Sequence, residues 1–395
     1  MKVLQINSVC GIRSTGRICT DIAHLLQQQG HSCRIVYGRE DVPEQFASIS
    51  IRSDSPMGVK LHALQSRVLD NAGFARAGAT KKLLQKIRDY DPDVIHLHNV
   101  HGYFLHVPTL FRFLKEYGRP VIWTFHDCWP FTGHCTYFDK IGCQRWKTGC
   151  YDCPQKKRYP SSHLLDRSRS NYQKKMELFS DLDKLTIVTP SQWLADLAGE
   201  SFLKNIPLRV IHNGIDVETF RPLASDFRCR YRLEGKKIVL GVASSFDKGK
   251  GFDDFVELSR RLEAPYQIVM VGLTPEQLPQ LPDNILGICR TDSVRQLAEI
   301  YSAADVFINP TYEANYPTTN LEAQCCGTPA ITYRTGGSIE SVPAEQVVTQ
   351  GDLDALEQKI RLICETGNYA VKDRELFDKN RAFKAYIDLY NEVLR

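Results

Sequence analysis

No stretch of this 395-residue chain approaches the roughly 20 consecutive apolar residues that a bilayer-spanning helix needs, so no membrane-spanning architecture is expected. A leader is not legible either. Residues 1–7 (MKVLQIN) make too short an apolar run, wrongly flanked for a signal peptide, and the chain is expected to stay in the cytoplasm. A large excess of one charge is also missing. Fifty Lys and Arg against 46 Asp and Glu leave a net charge of +4, mild for this size, and nucleic acid is not an expected partner. The G-x-G-x-x-G dinucleotide spacing is absent: Gly11 and Gly16 of the first loop do not have it, so a nicotinamide-binding reading is weak. Finally, 13 cysteines, an odd number scattered over both halves, do not make a disulfide framework. In a cytoplasmic chain they read as free thiols or metal ligands.

What is present suits a globular protein of two domains. Apolar residues make up 43% and charged ones 24% of a chain long enough for two full cores. Short apolar runs at residues 2–7, 32–38, 92–98, 120–126, 185–189 and 208–212 read as buried parallel strands. The pattern restarts at 237–243 and continues at 266–271, 304–309 and 329–333. Helical periodicity fills the intervals, notably 18–29, 56–90 and 191–200. The fold class is therefore α/β, two doubly wound Rossmann-like domains. We divide it into residues 1–185, carrying a cysteine-rich insertion at 128–153, residues 186–372, and a last helix at 373–395.

The chain is organised around residues 310–340. Pro317-Thr318-Thr319-Asn320 opens a helix that carries Glu322 and stops at Gly327. A helix N-terminus offers unpaired N–H groups to phosphate, and a carboxylate one turn inside can accept from ribose hydroxyls. Periodicity alone also fits an ordinary βαβ unit with a surface glutamate. Lys248 and Lys250 lie in a glycine-containing loop just past a strand end, placed to neutralise a diphosphate or simply to be solvated. Three histidines, His98, His101 and His126, fall at the strand-end level where ligands bind in open α/β folds. In the first loop, Arg13, Ser14 and Arg17 can meet an anion or water.

Cys135, Cys143, Cys150 and Cys153 follow the pattern C-x7-C-x6-C-x2-C. The C-x2-C ending matches a structural zinc site of four thiolates in a segment whose composition suggests that it needs a staple. Chance thiol pairs or disulfides are the alternative, and Cys128 is left uncommitted. Residues 156–175 carry seven Lys or Arg against one Asp. They form either a solvated helix face or a patch for anionic headgroups of the inner leaflet.

Asn320-Leu321-Glu322-Ala323, Cys326-Gly327-Thr328-Pro329 and Gly336-Gly337, together with His212-Asn213-Gly214-Ile215-Asp216 and Lys250-Gly251, resemble the signature of family 4 of the retaining glycosyltransferases, of the GT-B fold. The segment HD-x-W-x-x-T-G-x-C beginning at His126 is similar to a subgroup typified by colanic-acid and capsule polysaccharide glycosyltransferases. The resemblance covers essentially the whole chain. It implies transfer, with retention, of a sugar from a nucleotide-diphosphate donor of UDP or GDP type to a growing glycan or lipid-linked acceptor in bacterial surface polysaccharide synthesis.

It also implies that Glu322 binds the donor ribose. Lys250 would hold the diphosphate, together with N–H groups near Thr318 and Thr319. His126 would meet the donor sugar, and Gly16 would leave room for phosphate or acceptor. Two positions depart from the family pattern. A glutamate expected at 314 is Ala314, leaving Glu313 as its candidate replacement beside His126 and Lys250 in the catalytic set. An arginine expected at 244 is Ser244, leaving Lys248 as second cation. No Asp-x-Asp motif stands beside the site, so no catalytic metal is expected and structural zinc is the only metal reading. The rival readings are a catalytically inactive nucleotide-sugar-binding protein, suggested by Ala314, and a zinc-stabilised interaction protein. At the chain's end, Phe377, Phe383, Tyr386, Ile387, Leu389, Tyr390 and Leu394 recur at helical spacing. In the resembled fold such a helix returns to the N-terminal domain.

Overall fold

The computed structural model describes residues 1–395 as two compact units. The first comprises Met1–His212 and Phe383–Arg395, the second Asn213–Ala382. In the first unit seven strands form one parallel sheet: β1 (Lys2–Ile6), β2 (Ser32–Tyr37), β3 (Ser50–Arg52), β4 (Val94–Leu97), β5 (Val121–Thr124), β6 (Leu185–Thr189) and β7 (Leu208–Val210), in the order β3-β2-β1-β4-β5-β6-β7. The second unit repeats the plan with β8 (Lys237–Val242), β9 (Tyr266–Val271), β10 (Ile285–Ile288), β11 (Val306–Asn309), β12 (Ala330–Tyr333) and β13 (Val347–Val348), ordered β10-β9-β8-β11-β12-β13. Each sheet reverses its winding once, between β1 and β4 and between β8 and β11. Open α/β sheets present their ligand crevice at that reversal.

The first sheet has two unlike faces. Leu4, Ile6, Ile95, Leu97 and Trp123 alternate onto an apolar face that is packed with Leu110, Phe111 and Leu114 of the helix Val107–Tyr117. Gln5, His96 and Thr124 alternate onto the other face and are fully buried. Two helices supply partners for that polar row. The main-chain carbonyl of Cys19, in the helix Arg13–Gln28, accepts from Gln5 Nε2 at 2.8 Å. Tyr386 and Tyr390 come from the chain's last helix, Lys379–Val393.

That last helix behaves as the periodicity implied. Phe383, Tyr386, Ile387, Leu389 and Tyr390 are buried, and from Phe383 onward the chain belongs to the first unit. A turn at Arg374–Phe377 precedes it, so the expected continuous 373–395 helix is broken at Asp378. The two stretches that connect the units run side by side: Ile215 N–H donates to Phe377 O at 2.8 Å and Lys379 N–H to Ile215 O at 2.9 Å.

Three expectations are corrected. The division placed at 185 falls instead between His212 and Asn213, because β6 pairs with β5 (Leu185 beside Val121) and β7 with β6. The first helix starts at Arg13, not Ile18, and Arg13 pairs with Glu40 at 2.7 Å. The helical stretch 56–90 is two helices, Pro56–Leu69 and Ala77–Tyr90, separated at Asp70, whose φ is 48°.

Candidate active site

At the winding reversal of the second unit, the loop after β8 and the loop after β11 are zipped together. Tyr312 N–H donates to Gly249 O at 2.8 Å, and Thr311 Oγ1 donates to the same oxygen at 3.2 Å. Gly251, at φ 73°, makes the approach feasible: a Cβ there would lie 2.4 Å from Pro310 O. Lys250 spans the two loops, its Nζ donating to Glu313 O at 2.9 Å and Thr311 Oγ1 at 3.3 Å. The residue keeps exposed surface, but its ammonium is crowded by protein atoms, which pushes its pKa down, while Asp247 and Glu313 pull it back up. Glu313 is half-buried beside this ammonium, whereas Ala314 is buried. Lys248, expected to join Lys250, does not: its side chain is 82% exposed and leans on Asp253 at 3.4 Å.

The helix Thr318–Cys325 begins at the same edge. The helices that start at Gln192, Val294 and Leu353 are each capped by the side chain before them, Ser191, Ser293 and Asp352. Pro317 gives this one no such cap, which leaves the N–H groups of Thr318 and Thr319 without a side-chain acceptor at its mouth. One turn in, Glu322 Oε2 accepts from the hydroxyl of Tyr301, fully buried, at 3.0 Å. Burial and Glu322 push the Tyr301 hydroxyl well above its usual pKa, so it remains a donor and fixes the carboxylate. The geometry thus assembles Lys250, Glu313, Thr318, Thr319 and Glu322 in one unit.

The first unit's reversal carries a histidine relay. Gln5 Nε2 donates to Cys19 O, and a main-chain carbonyl only accepts, so Gln5 Oε1 is the atom 3.1 Å from His98 Nε2. His98 Nε2 therefore carries the proton and His98 Nδ1 accepts. Its partner at 3.0 Å is His126 Nε2, which must donate, leaving Nδ1 as the acceptor nitrogen of His126. His126 is stacked on His98, and His96 lies tilted against His98; burial favours the neutral form of all three, pulling His126 down to about 4 and His96 and His98 well below the ordinary value. His96 ends the row, bonded to Tyr390 at 2.7 Å and Thr124 at 2.8 Å. His101 is drawn into a separate pair with Asp127 Oδ2 at 2.9 Å. Burial alone would raise the Asp127 carboxyl, but His101 holds it below its usual range.

Gly16 lies in the first turn of the helix Arg13–Gln28, and the space its Cβ would need is taken by the chain's own Val9 and Gly11, at 3.1 and 3.2 Å. Its missing side chain seats the 9–11 loop.

Cys135, Cys143, Cys150 and Cys153 do converge, lining one pocket with His134, Phe138 and Trp146. Cys150 Sγ accepts from Gly133 N–H at 3.1 Å. A hydrogen bond from Cys135 draws the Cys153 thiol down to about 7. All 13 cysteines stand as free thiols, and no three His, Cys, Asp or Glu side chains are gathered closely enough to hold a metal ion. Nor is the segment coreless: Phe131, Phe138 and Trp146 are buried, with Phe138 stacked on Trp146 at 5.1 Å. Lys175 leaves the basic stretch for the interior, donating to the carbonyls of Trp129 (2.7 Å) and Thr132 (2.9 Å).

The missed residues are Gln5, Thr311 and Tyr301. Each orients a residue that the sequence does flag, but from a distant position in the chain.

Residues 237–366 match the model for Glycosyl transferases group 1. Over 100% of both chains the protein is 26% identical to the putative colanic acid biosynthesis glycosyl transferase WcaC of Escherichia coli K12. It is 24% identical, over 55% of this chain and 65% of the relative, to the N,N'-diacetylbacillosaminyl-diphospho-undecaprenol alpha-1,3-N-acetylgalactosaminyltransferase of Campylobacter jejuni. Among solved structures, a sucrose-phosphate synthase from Thermosynechococcus elongatus superposes with a TM-score of 0.73 at 18% identity, covering 99% of this chain and 98% of that one. Anabaena Alr3699/HepE in complex with UDP-glucose does so with 0.67 at 14%, covering 99% and 100%. These structures share the GT-B fold of two Rossmann-like domains. Residues 15–219, just over half of the chain, match the model for Glycosyltransferase Family 4, and the chain is a family 4 glycosyltransferase of the GT-B fold.

Proposed function

We propose that this enzyme transfers a sugar, with retention at the anomeric carbon, from a nucleotide-diphosphate sugar to a growing glycan or lipid-linked acceptor during bacterial surface polysaccharide synthesis. The observation that carries the donor half is the crevice where Lys250 spans two loops beside the uncapped start of Thr318–Cys325, with Glu322 fixed by Tyr301. In this reading Lys250 and the Thr318 and Thr319 N–H groups bind the diphosphate, and Glu322 binds the ribose. His126 contacts the donor sugar, and Glu313 supplies the carboxylate that Ala314 lacks. A UDP-type donor is supported by a neighbour of the same fold that holds UDP-glucose. The acceptor class is supported by the colanic-acid and undecaprenyl-linked relatives.

The bond from the anomeric carbon to the diphosphate oxygen breaks as charge grows on that oxygen, where a fixed cation and helix-end N–H groups stabilise it. The acceptor oxygen bonds to the same carbon from the same face, and its proton passes to the departing diphosphate. A structural zinc on Cys135, Cys143, Cys150 and Cys153 belongs to the same proposal. The shared pocket supports it, binding would require the four thiols to draw together, and metal analysis tests it. The donor reading is tested by thermal shift against UDP, GDP, ADP and their sugars, since a ligand of the folded state raises Tm. One diphosphate nucleoside should stabilise the wild type and fail to stabilise Lys250→Ala. Stabilisation by none of them refutes the donor site.

A further inference from the structure

The helix Pro56–Leu69 is turned inside out. Its buried positions are Gly58, His62 and Ser66, small or polar, with His62 lying edge-on to Tyr103 at 5.8 Å. Its outward positions are Met57, Leu61, Leu64 and Val68, which are 63, 49, 59 and 37% exposed. Steps of four, three and four residues put these on one stripe of a helix. A soluble surface helix does the reverse.

The apolar stripe also continues beyond the helix. His163 N–H donates to Arg67 O at 2.7 Å and Leu165 N–H to Val68 O at 3.1 Å. These bonds lay the 163–165 segment against the helix's last turn. Leu164 and Leu165, 67 and 42% exposed, extend the stripe. Two separate chain segments therefore place large apolar side chains on one patch, which marks a binding surface rather than scattered exposure.

The surrounding charge names the partner. Lys60 and Arg67 lie on the helix itself, and Lys157, Arg167 and Arg169 are exposed on the segment beside it. The nearby acids are largely committed. Asp54 is engaged by Arg76 at 2.9 Å, Asp70 is buried against His134 at 2.6 Å, and Asp166 accepts from the main chain of Cys153 and Ser168. An apolar stripe bordered by cations suits a surface whose interior is hydrocarbon and whose face is anionic.

We propose that the helix Pro56–Leu69, with Leu164 and Leu165, is the docking surface of this protein for an anionic lipid bilayer. The stripe enters the headgroup boundary, and Lys60, Arg67, Arg167 and Arg169 pair with lipid phosphates. It stands on observations separate from the donor site and is measured without any substrate.

The experiment is flotation of the full chain with vesicles of phosphatidylglycerol and phosphatidylethanolamine, and with phosphatidylcholine alone. The wild type should float with the anionic vesicles, less at high salt, and little with the neutral ones. The triple variant Met57→Ser, Leu61→Ser, Leu64→Ser should partition at least about tenfold more weakly, since it removes the buried apolar area. Lys60→Glu with Arg67→Glu should lose the anionic preference. Both should keep the wild-type Tm, because these side chains face outward. Failure of the wild type to float overturns the proposal, as does flotation unchanged in the triple variant. So does a wild-type dimer that the triple variant turns into a monomer without any vesicle binding, which assigns the stripe to a second copy of the chain.

Discussion

Gln5→Leu tests the relay that sets His126. Leucine fills much of the same volume but cannot accept the proton on His98 Nε2, 3.1 Å away. His98 is 1% exposed, so no water replaces the lost acceptor without rearrangement. Leaving that N–H unmet costs about 1–3 kcal/mol. At about 2–4 °C per kcal/mol for a unit of this size, the first unit's Tm should fall by roughly 2–12 °C. The alternative is for His98 to move its proton to Nδ1. That nitrogen would then face the N–H of His126 at 3.0 Å, and His126 would have to shift its own proton to Nδ1. Either way the His126 acceptor is no longer fixed. The assay is 15N NMR of the imidazole nitrogens beside thermal melting and donor titration. Wild-type His126 should show a protonated Nε2 and an unprotonated Nδ1, and Gln5→Leu should show a mixture with weaker sugar-nucleotide binding. Gln5→Glu, which still accepts from His98, should keep the wild-type tautomer while losing stability. An unaltered Tm and an unaltered tautomer in Gln5→Leu would refute the relay.

Lys250→Ala should weaken donor binding by about 1.5–3 kcal/mol, the worth of a hydrogen bond to a charged group, whereas Lys248→Ala should cost well under that; calorimetry giving equal losses would return Lys248 to the site. Purified protein should contain about one zinc per chain if the four thiols close on a metal, and elemental analysis finding none removes the metal reading. His96, His98 and His126 have folded pKa values below the unfolded one, so their contribution to stability is full above about pH 6.5 and is lost as pH falls toward the folded values; denaturant melts of His98→Asn should show a pH slope shallower by about 1.4 kcal/mol per pH unit over that range. Deleting residues 383–395 removes Phe383, Tyr386, Ile387, Leu389 and Tyr390, on the order of 10 kcal/mol of burial, comparable to a domain's whole stability; proteolysis should then digest the first unit while a fragment spanning the second still binds nucleotide.

Ten of the thirteen strands were legible as apolar runs, most of them buried on both faces; β3, β10 and β13 lie at or near the sheet edges, are largely half-buried, and lack the continuous apolar run that marks a doubly covered strand. β7 was legible as a strand but not as a member of the first sheet, since pairing with β6 is not written in its own residues. Lys250 and Glu322 stand in local patterns that resemble a family signature. Their supports do not: Tyr301 lies 21 positions from Glu322, and Gln5 lies 93 from His98. The outward stripe of Pro56–Leu69 has the same periodicity as a core-facing one, and only burial tells them apart.

The last helix has a consequence for the order of synthesis. Tyr386 and Tyr390 complete a polar row begun by Gln5, so the first unit to leave the ribosome is among the last to be finished. The second unit, made entirely in between, can fold as soon as it emerges, since domains fold as units during translation. Until residues 383–395 follow, the first sheet waits with His96 and Thr124 uncovered and an apolar seam open beside them. A nascent chain stalled anywhere in the second unit would therefore present that seam to chaperones and proteases, and quality control would read the completeness of the whole chain at its earliest sheet.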